Sequence, residues 1–171
     1  SPFTELDWLG ALQLLGAALG NGFLSAALAL LGQNIFARWL GLATPLHLLE
    51  ISRPDFPLLQ FFLRNAPGTY QHSLQVANLA EQAAEAIGAD PLLTRVGALF
   101  HDVGKSSNAA FFIENQAPGQ MNTHQDMDPE EAAAEIIRHV TDGAALARKH
   151  RLPRRLADFM LEHHGTLTTR Y

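Results

Sequence analysis

Residues 8–37 contain no Asp, Glu, Lys or Arg and read WLGALQLLGAALGNGFLSAALALLGQNIFA. A run so long and so free of charge admits few environments: wholly helical, it extends about 45 Å, against about 30 Å of bilayer hydrocarbon. One crossing fits. Two do not, because Gly20-Asn21-Gly22 leaves only twelve residues ahead of it, too few to span. The expected span covers residues 19–40, preceded by an interfacial or kinked piece. A signal peptide matches less well, since Glu5 and Asp7 stand where a basic region would be. A core helix of a soluble domain is the alternative, and Gln13, Asn21, Gln33 and Asn34 are the residues that favour it. Arg38, Arg53 and Arg64 follow the run and no basic residue precedes it. The positive-inside rule then places the rest of the chain in the cytoplasm, with the helix in the cell inner membrane.

Beyond the run the composition changes, and charges recur from Arg38 onward. A chain of 171 residues has room for one domain with a sizeable core and an appendage. Its formal charge of -5 argues against a nucleic-acid polymer as partner, while a small anionic ligand remains compatible. The chain has no cysteine. Disulfides, thiolate metal sites and cysteine nucleophiles are therefore excluded together, and any metal must be held by nitrogen and oxygen.

The fold class reads as all-α. Thr44-Pro45 and the segment Arg53-Pro54-Asp55-Phe56-Pro57 punctuate two short helices, 46–51 and 58–65, in a juxtamembrane connector. In a helix over 67–87, His72, Val76, Leu79, Ala83 and Ile87 fall on one stripe, which places His72 on the apolar face. Asp90-Pro91 is an N-cap followed by proline at N1, Leu92, Val96, Leu99, Phe100 and Val103 form the apolar face, and Gly104 is the expected stop. Asp128-Pro129 opens another helix, with Glu131 as capping-box partner, Ala133, Ile136, Ile137 and Val140 along it and His139 near its end. A last helix runs from Pro153 through Leu156, Phe159 and Met160 to His163-His164, before Gly165. No alternating stretch is long enough for a strand.

Five histidines, His72, His101, His139, His163 and His164, lie on or at the ends of these helices, and Asp102 adjoins one of them. His47, His124 and His150 fall in connectors. Singly, each of the five is explained as an ordinary core or surface histidine. Jointly they are a donor set: neutral imidazoles and a carboxylate suit a first-row divalent ion, and a carboxylate has two oxygens with which to bridge a pair of ions. Lys105, one turn from His101, is a candidate phosphate contact, or else a surface lysine favoured by the helix dipole.

The order His72, His101-Asp102, His139, His163-His164 resembles the HD superfamily of metal-dependent phosphohydrolases. The blocks TPLHLLEIS, APGTYQHSLQVANLAE, HDVGK, FFIENQ, RHVTDG and LEHHGT are similar to the cytoplasmic domain of its seven-transmembrane branch, the PgpH type. The resemblance implies a helical HD bundle and hydrolysis of a cyclic dinucleotide, cyclic-di-AMP to the linear form. It implies two divalent ions, manganese or iron first, with zinc, cobalt or nickel admissible. His72, His101 and Asp102 would serve one ion, and Asp102 with His139, His163 and His164 the other. Asp102 and, from its position one turn from His101, Lys105 are the candidate catalytic residues. Another HD nucleotide phosphohydrolase, or a metal-binding sensor without activity, remains open. The expected division is 1–41 membrane segment, 42–66 connector and 67–171 HD domain. In the family a further aspartate ligand follows the His-His pair, so the resemblance implies a fragment that begins near the last span and stops before that ligand.

Overall fold

The computed structural model describes residues 7–117, 119 and 127–165; His124 and the residues after Gly165 lie outside them. The chain divides into two compact units, residues 1–40 and 41–171.

The first unit is one helix, α1 (Trp8–Trp39), capped by Asp7, whose side chain accepts from Gly10 N at 2.9 Å. The sequence predicts a break at Gly20-Asn21-Gly22, and the helix runs through it without one. Glycine and asparagine lower helix propensity by up to about 1 kcal/mol each, but both keep the N–H that proline lacks, so the hydrogen-bond ladder survives. The helix is long and apolar enough to cross a membrane. Its large apolar side chains, Leu14 and Phe23 among them, are exposed.

In the second unit all regular structure among the described residues is helical: α2 (Pro45–Ile51), α3 (Pro57–Asn65), α4 (Pro67–Ile87), α5 (Pro91–Phe100), two 3₁₀ segments (Val103–Phe111 and Ile113–Asn115), α6 (Pro129–Lys149) and α7 (Arg154–Glu162). Proline opens α2 to α6. Its fixed φ suits the first turn, and the N–H it lacks has no intrahelical partner there. Thr44, Asp90 and Asp128 cap α2, α5 and α6 with their side-chain oxygens, accepting from His47 N, Leu93 N and Glu130 N.

The core gathers around α5. Val96, Leu99, Phe100 and Val103 are buried as their spacing predicts, against Leu48 and Ile51 of α2, Leu58 and Phe62 of α3, Ala147 of α6, and Leu156 and Met160 of α7. Each large side chain so buried contributes about 1.5–3 kcal/mol. The aromatic rings meet edge-on, Phe56 with Phe100 and Phe62 with Tyr70.

The stripe read on α4 is corrected. Leu79 and Ile87 are 67% and 81% exposed, and His72 and Ala83 are exposed as well. The buried face is Thr69, Ser73, Ala77 and Ala84, which are small residues. Small side chains let α4 lie close to α5, and because they carry little hydropathy the larger leucine and isoleucine dominate the pattern. On α6, likewise, the buried residues are Ala132, His139, Gly143, Ala144 and Ala147, while Ile137 is exposed.

Candidate metal centre

Gly104 does not end α5, whose last residue is Phe100. It is a contact glycine: a Cβ there would lie 1.9 Å from the His139 carbonyl oxygen and 2.5 Å from Gly143 N. The backbone after His101-Asp102 is thereby pressed onto the middle of α6, which brings Asp102 to His139. Gly165 does take the left-handed conformation, φ 58°, just after His163 and His164 at the end of α7. A second close approach, Gly68 against the Glu114 carbonyl, seats the start of α4 on the shorter 3₁₀ segment.

These contacts bring the six predicted residues to one place. Asp102, His139, His163 and His164 each offer a donor atom within 4.8 Å of the others, as do His72, His101 and Asp102. Asp102 is common to both groups. Donors on a single ion lie at most about 4.4 Å apart when ligand bonds are near 2.0–2.2 Å, so each group needs little adjustment to close on one cation. Asp102 and His139 are buried, with side chains 5% and 1% exposed, and His72 lies at the rim.

The histidine tautomers follow from their partners. Nδ1–H of His101 donates to the Ala98 carbonyl at 2.6 Å, that of His163 to Met160 at 2.9 Å, and that of His139 to Ile136. A neutral ring bonded in this way carries its lone pair on Nε2. The three Nε2 atoms stand 3.3, 3.5 and 3.3 Å from the Asp102 carboxylate, for His101, His163 and His139 respectively. His139 Nε2 is also 3.4 Å from His163 Nε2 and 3.2 Å from His164 Nε2. Lone pairs at such distances repel one another and the carboxylate unless a proton or a cation lies among them. The residues present therefore fit a divalent cation, with the carbonyls holding each ring in the ligating tautomer.

Charge in the site follows the same logic. Where a proton and not a cation sits on Nε2, the rings of His101, His139 and His163 donate to Asp102; burial pushes its carboxyl up, but these hydrogen bonds outweigh it and hold the group well below the usual carboxylate range. Burial disfavours protonated His101, yet the adjacent Asp102 carboxylate overcomes this and raises its pKa. His164 is shifted down by burial and by the neighbouring rings of His163 and His139.

Lys105 is not a free surface lysine. Its Nζ lies 2.9 Å from Asp102 Oδ2 and 3.1 Å from Glu114 Oε1, over the ring of Phe112. Burial lowers its pKa and the two carboxylates more than restore it. Glu114 in turn accepts from Thr69 Oγ1 at 2.9 Å, and Asn115 Nδ2 donates to Thr69 Oγ1 at 2.8 Å. Sequence reasoning did not single out Thr69, Glu114 or Asn115. The signals were the block APGTYQHSLQVANLAE, which holds Thr69, and the block FFIENQ, whose three polar residues close an otherwise apolar stretch.

The profile of the HD domain family matches residues 69–170. HD domains bind divalent metal ions. The chain is 43% identical over 158 residues to the cyclic-di-AMP phosphodiesterase PgpH of Bacillus subtilis (strain 168), covering 92% of this chain and 22% of that protein. It is 40% identical over 163 residues to the cyclic-di-AMP phosphodiesterase PgpH of Listeria monocytogenes serotype 1/2a (strain 10403S), covering 95% and 23%. The crystal structure of the L. monocytogenes PgpH HD domain in complex with cyclic-di-AMP is similar with a TM-score of 0.66 at 44% identity, over 70% of this chain and 56% of that one. The chain thus spans less than a quarter of the length of these curated relatives.

Proposed function

Because this chain belongs to the HD-domain family, we propose that it carries a metal-dependent phosphodiesterase centre that hydrolyses cyclic-di-AMP to the linear dinucleotide. The similarity to two cyclic-di-AMP phosphodiesterases and to an HD domain complexed with that dinucleotide supports the substrate. The observation that carries the chemistry is the set of Nε2 lone pairs directed at one buried carboxylate, Asp102.

In this reading His72, His101 and Asp102 hold one ion, and Asp102, His139, His163 and His164 the other. When bound, divalent ions lower the pKa of water toward about 7 and neutralise charge on phosphoryl oxygens. Manganese or iron is our assignment, from a nitrogen and oxygen donor set with no thiolate. Asp102, ionised throughout the physiological range, supplies a negative charge shared by both ions. Lys105 is held beside it by Glu114, where its ammonium can turn from the carboxylates to a non-bridging phosphate oxygen. Water adds to phosphorus, one P–O ester bond breaks, and the departing ribose oxygen takes a proton. We place α1 across the inner membrane, with 67–171 as the cytoplasmic HD domain and 42–66 as a connector whose Leu48, Ile51, Leu58 and Phe62 pack into that domain's core.

The test is turnover of cyclic-di-AMP, and of nucleoside triphosphates, by the intact chain in detergent with manganese or ferrous iron. Release of the linear dinucleotide is the expected result. Hydrolysis of triphosphates instead would assign a different HD phosphohydrolase, and tightly bound metal without turnover of either would assign a sensor domain.

A further inference from the structure

Five of the twelve Lys and Arg residues, Arg148, Lys149, Arg151, Arg154 and Arg155, fall within eight positions of a chain whose formal charge is -5. No acidic residue stands between Asp142 and Asp158. All five are exposed. They occupy the turn from α6 to α7, and that turn is fixed from beneath: Leu152 and Pro153 are buried, and Leu152 N donates to the Ala147 carbonyl at 2.9 Å. Arg151 takes a positive φ of 56° and its N–H bonds to Arg148 O at 3.1 Å. A backbone held in this way presents the basic side chains outward. Arg155 pairs with Asp158 at 3.2 Å, an exposed contact that screens little of the cluster.

The location of this patch is what gives it meaning. Arg154 N donates to the Gly41 carbonyl at 3.2 Å, and a Cβ on Gly41 would meet Arg154 Cγ at 3.3 Å. Gly41 directly follows Leu40, the C-cap of α1. The chain reaches at most about 3.3–3.6 Å per residue, so Gly41 stays within about 7 Å of Trp39 wherever α1 lies. Next to it in sequence, Leu42, Leu46 and Leu49 are 53%, 58% and 55% exposed. Leu46 and Leu49 share a face of α2, whose Leu48 and Ile51 are buried in the core.

We propose that the α6–α7 turn, together with Leu46 and Leu49 of α2, is a docking surface for the anionic lipid headgroups of the bilayer that α1 enters. The inference rests on the reading of α1 as a membrane span. Juxtamembrane basic clusters are drawn to anionic leaflets within a Debye length, and a half-exposed apolar helix face seats at the headgroup boundary. The exposed leucines that follow Gly41 in sequence favour a lipid surface over a nucleic acid, which offers no apolar phase to seat them.

The chain has two tryptophans, Trp8 and Trp39, at the two ends of α1, and no cysteine, so both parts of the inference can be read separately in the intact chain. Lys149→Cys carries an environment-sensitive fluorophore, and the protein is reconstituted into vesicles of phosphatidylcholine alone or with about a third phosphatidylglycerol. Tryptophan quenching by brominated acyl chains reports insertion of α1. The fluorophore should be quenched by a headgroup-attached quencher at least twofold more in the anionic vesicles. That excess should vanish in high salt and in the additional Arg148→Gln, Arg151→Gln, Arg154→Gln, Arg155→Gln variant. Quenched tryptophans with a fluorophore indifferent to lipid charge would overturn the docking surface alone. Unquenched tryptophans would overturn it together with the membrane reading. A fluorophore that responds to single-stranded RNA and not to anionic lipid would assign the patch to a nucleic acid instead.

Discussion

His139 Nε2 stands 3.3 Å from Asp102 Oδ1 while Nδ1–H of the same ring is donated to the Ile136 carbonyl. The buried imidazole is thus fixed in orientation and tautomer, its lone pair aimed at a carboxylate that belongs to both donor groups.

Asp102 is therefore the residue whose loss should be felt by both ions. Asp102→Ala should abolish turnover and release both metals, and Asp102→Asn, which keeps the shape but not the charge, should do nearly the same. His72→Ala should leave one ion per chain, and His164→Ala should do so on the other side. Metal content by elemental analysis, alongside turnover, checks this; Asp102→Ala retaining two ions would sink the bridging role.

Gly104→Ala should destabilise the domain by about 1–3 kcal/mol or more, as overpacking does, because the new Cβ must displace the backbone of α6 at His139. The same displacement carries His139 away from Asp102. Denaturant unfolding measures the first effect and metal affinity the second. An alanine tolerated in both would show that the contact does not position the site.

Lys105→Ala should keep both metals yet weaken substrate binding, since the lysine is no donor to a cation. Glu114→Gln should have a smaller effect in the same direction, by loosening the hold on Lys105. The decisive readout is KM against kcat: a fall in metal content for either variant would move Lys105 from substrate contact to support of Asp102.

The pH dependence should change sign with metal. In chelator, His101 has a raised pKa, so the stability gained from its pairing with Asp102 is complete below the ordinary value of 6.5 and disappears as pH rises through the raised one. His101→Gln should then cost more stability at pH 5.5 than at pH 9. With metal loaded the order reverses, because only the neutral ring ligates and occupancy falls as the histidines protonate. Asp102 acts in the opposite direction in chelator: its lowered pKa stabilises the fold above the usual 3.8, and that stability is lost on acidification. Denaturation of parent and variant at both pH values, with and without metal, resolves the signs.

The sequence by itself determined the local events. Proline and aspartate at 90–91 and 128–129 mark helix starts because capping and a fixed φ act within one turn, and the charge-free run marks an apolar helix, although its Gly20-Asn21-Gly22 reads as a break that α1 runs through. The order of histidines around His101-Asp102 likewise singled out the six candidate donors. Tertiary structure decided what depends on neighbours distant in sequence. The buried face of α4 is made of Thr69, Ser73, Ala77 and Ala84 and not of the larger Leu79 and Ile87, because close approach to α5 rewards small volume over hydropathy. Gly104 proved to be a contact with α6, since the atoms its Cβ would strike belong to residues 139 and 143. Lys105, which the sequence leaves as either a phosphate contact or a surface lysine, is held between Asp102 and Glu114, because the shorter 3₁₀ segment is folded back onto the start of α4. Backbone propensity and capping are short-range and can be read along a chain, whereas packing volume and charge pairing are set only when separate helices meet.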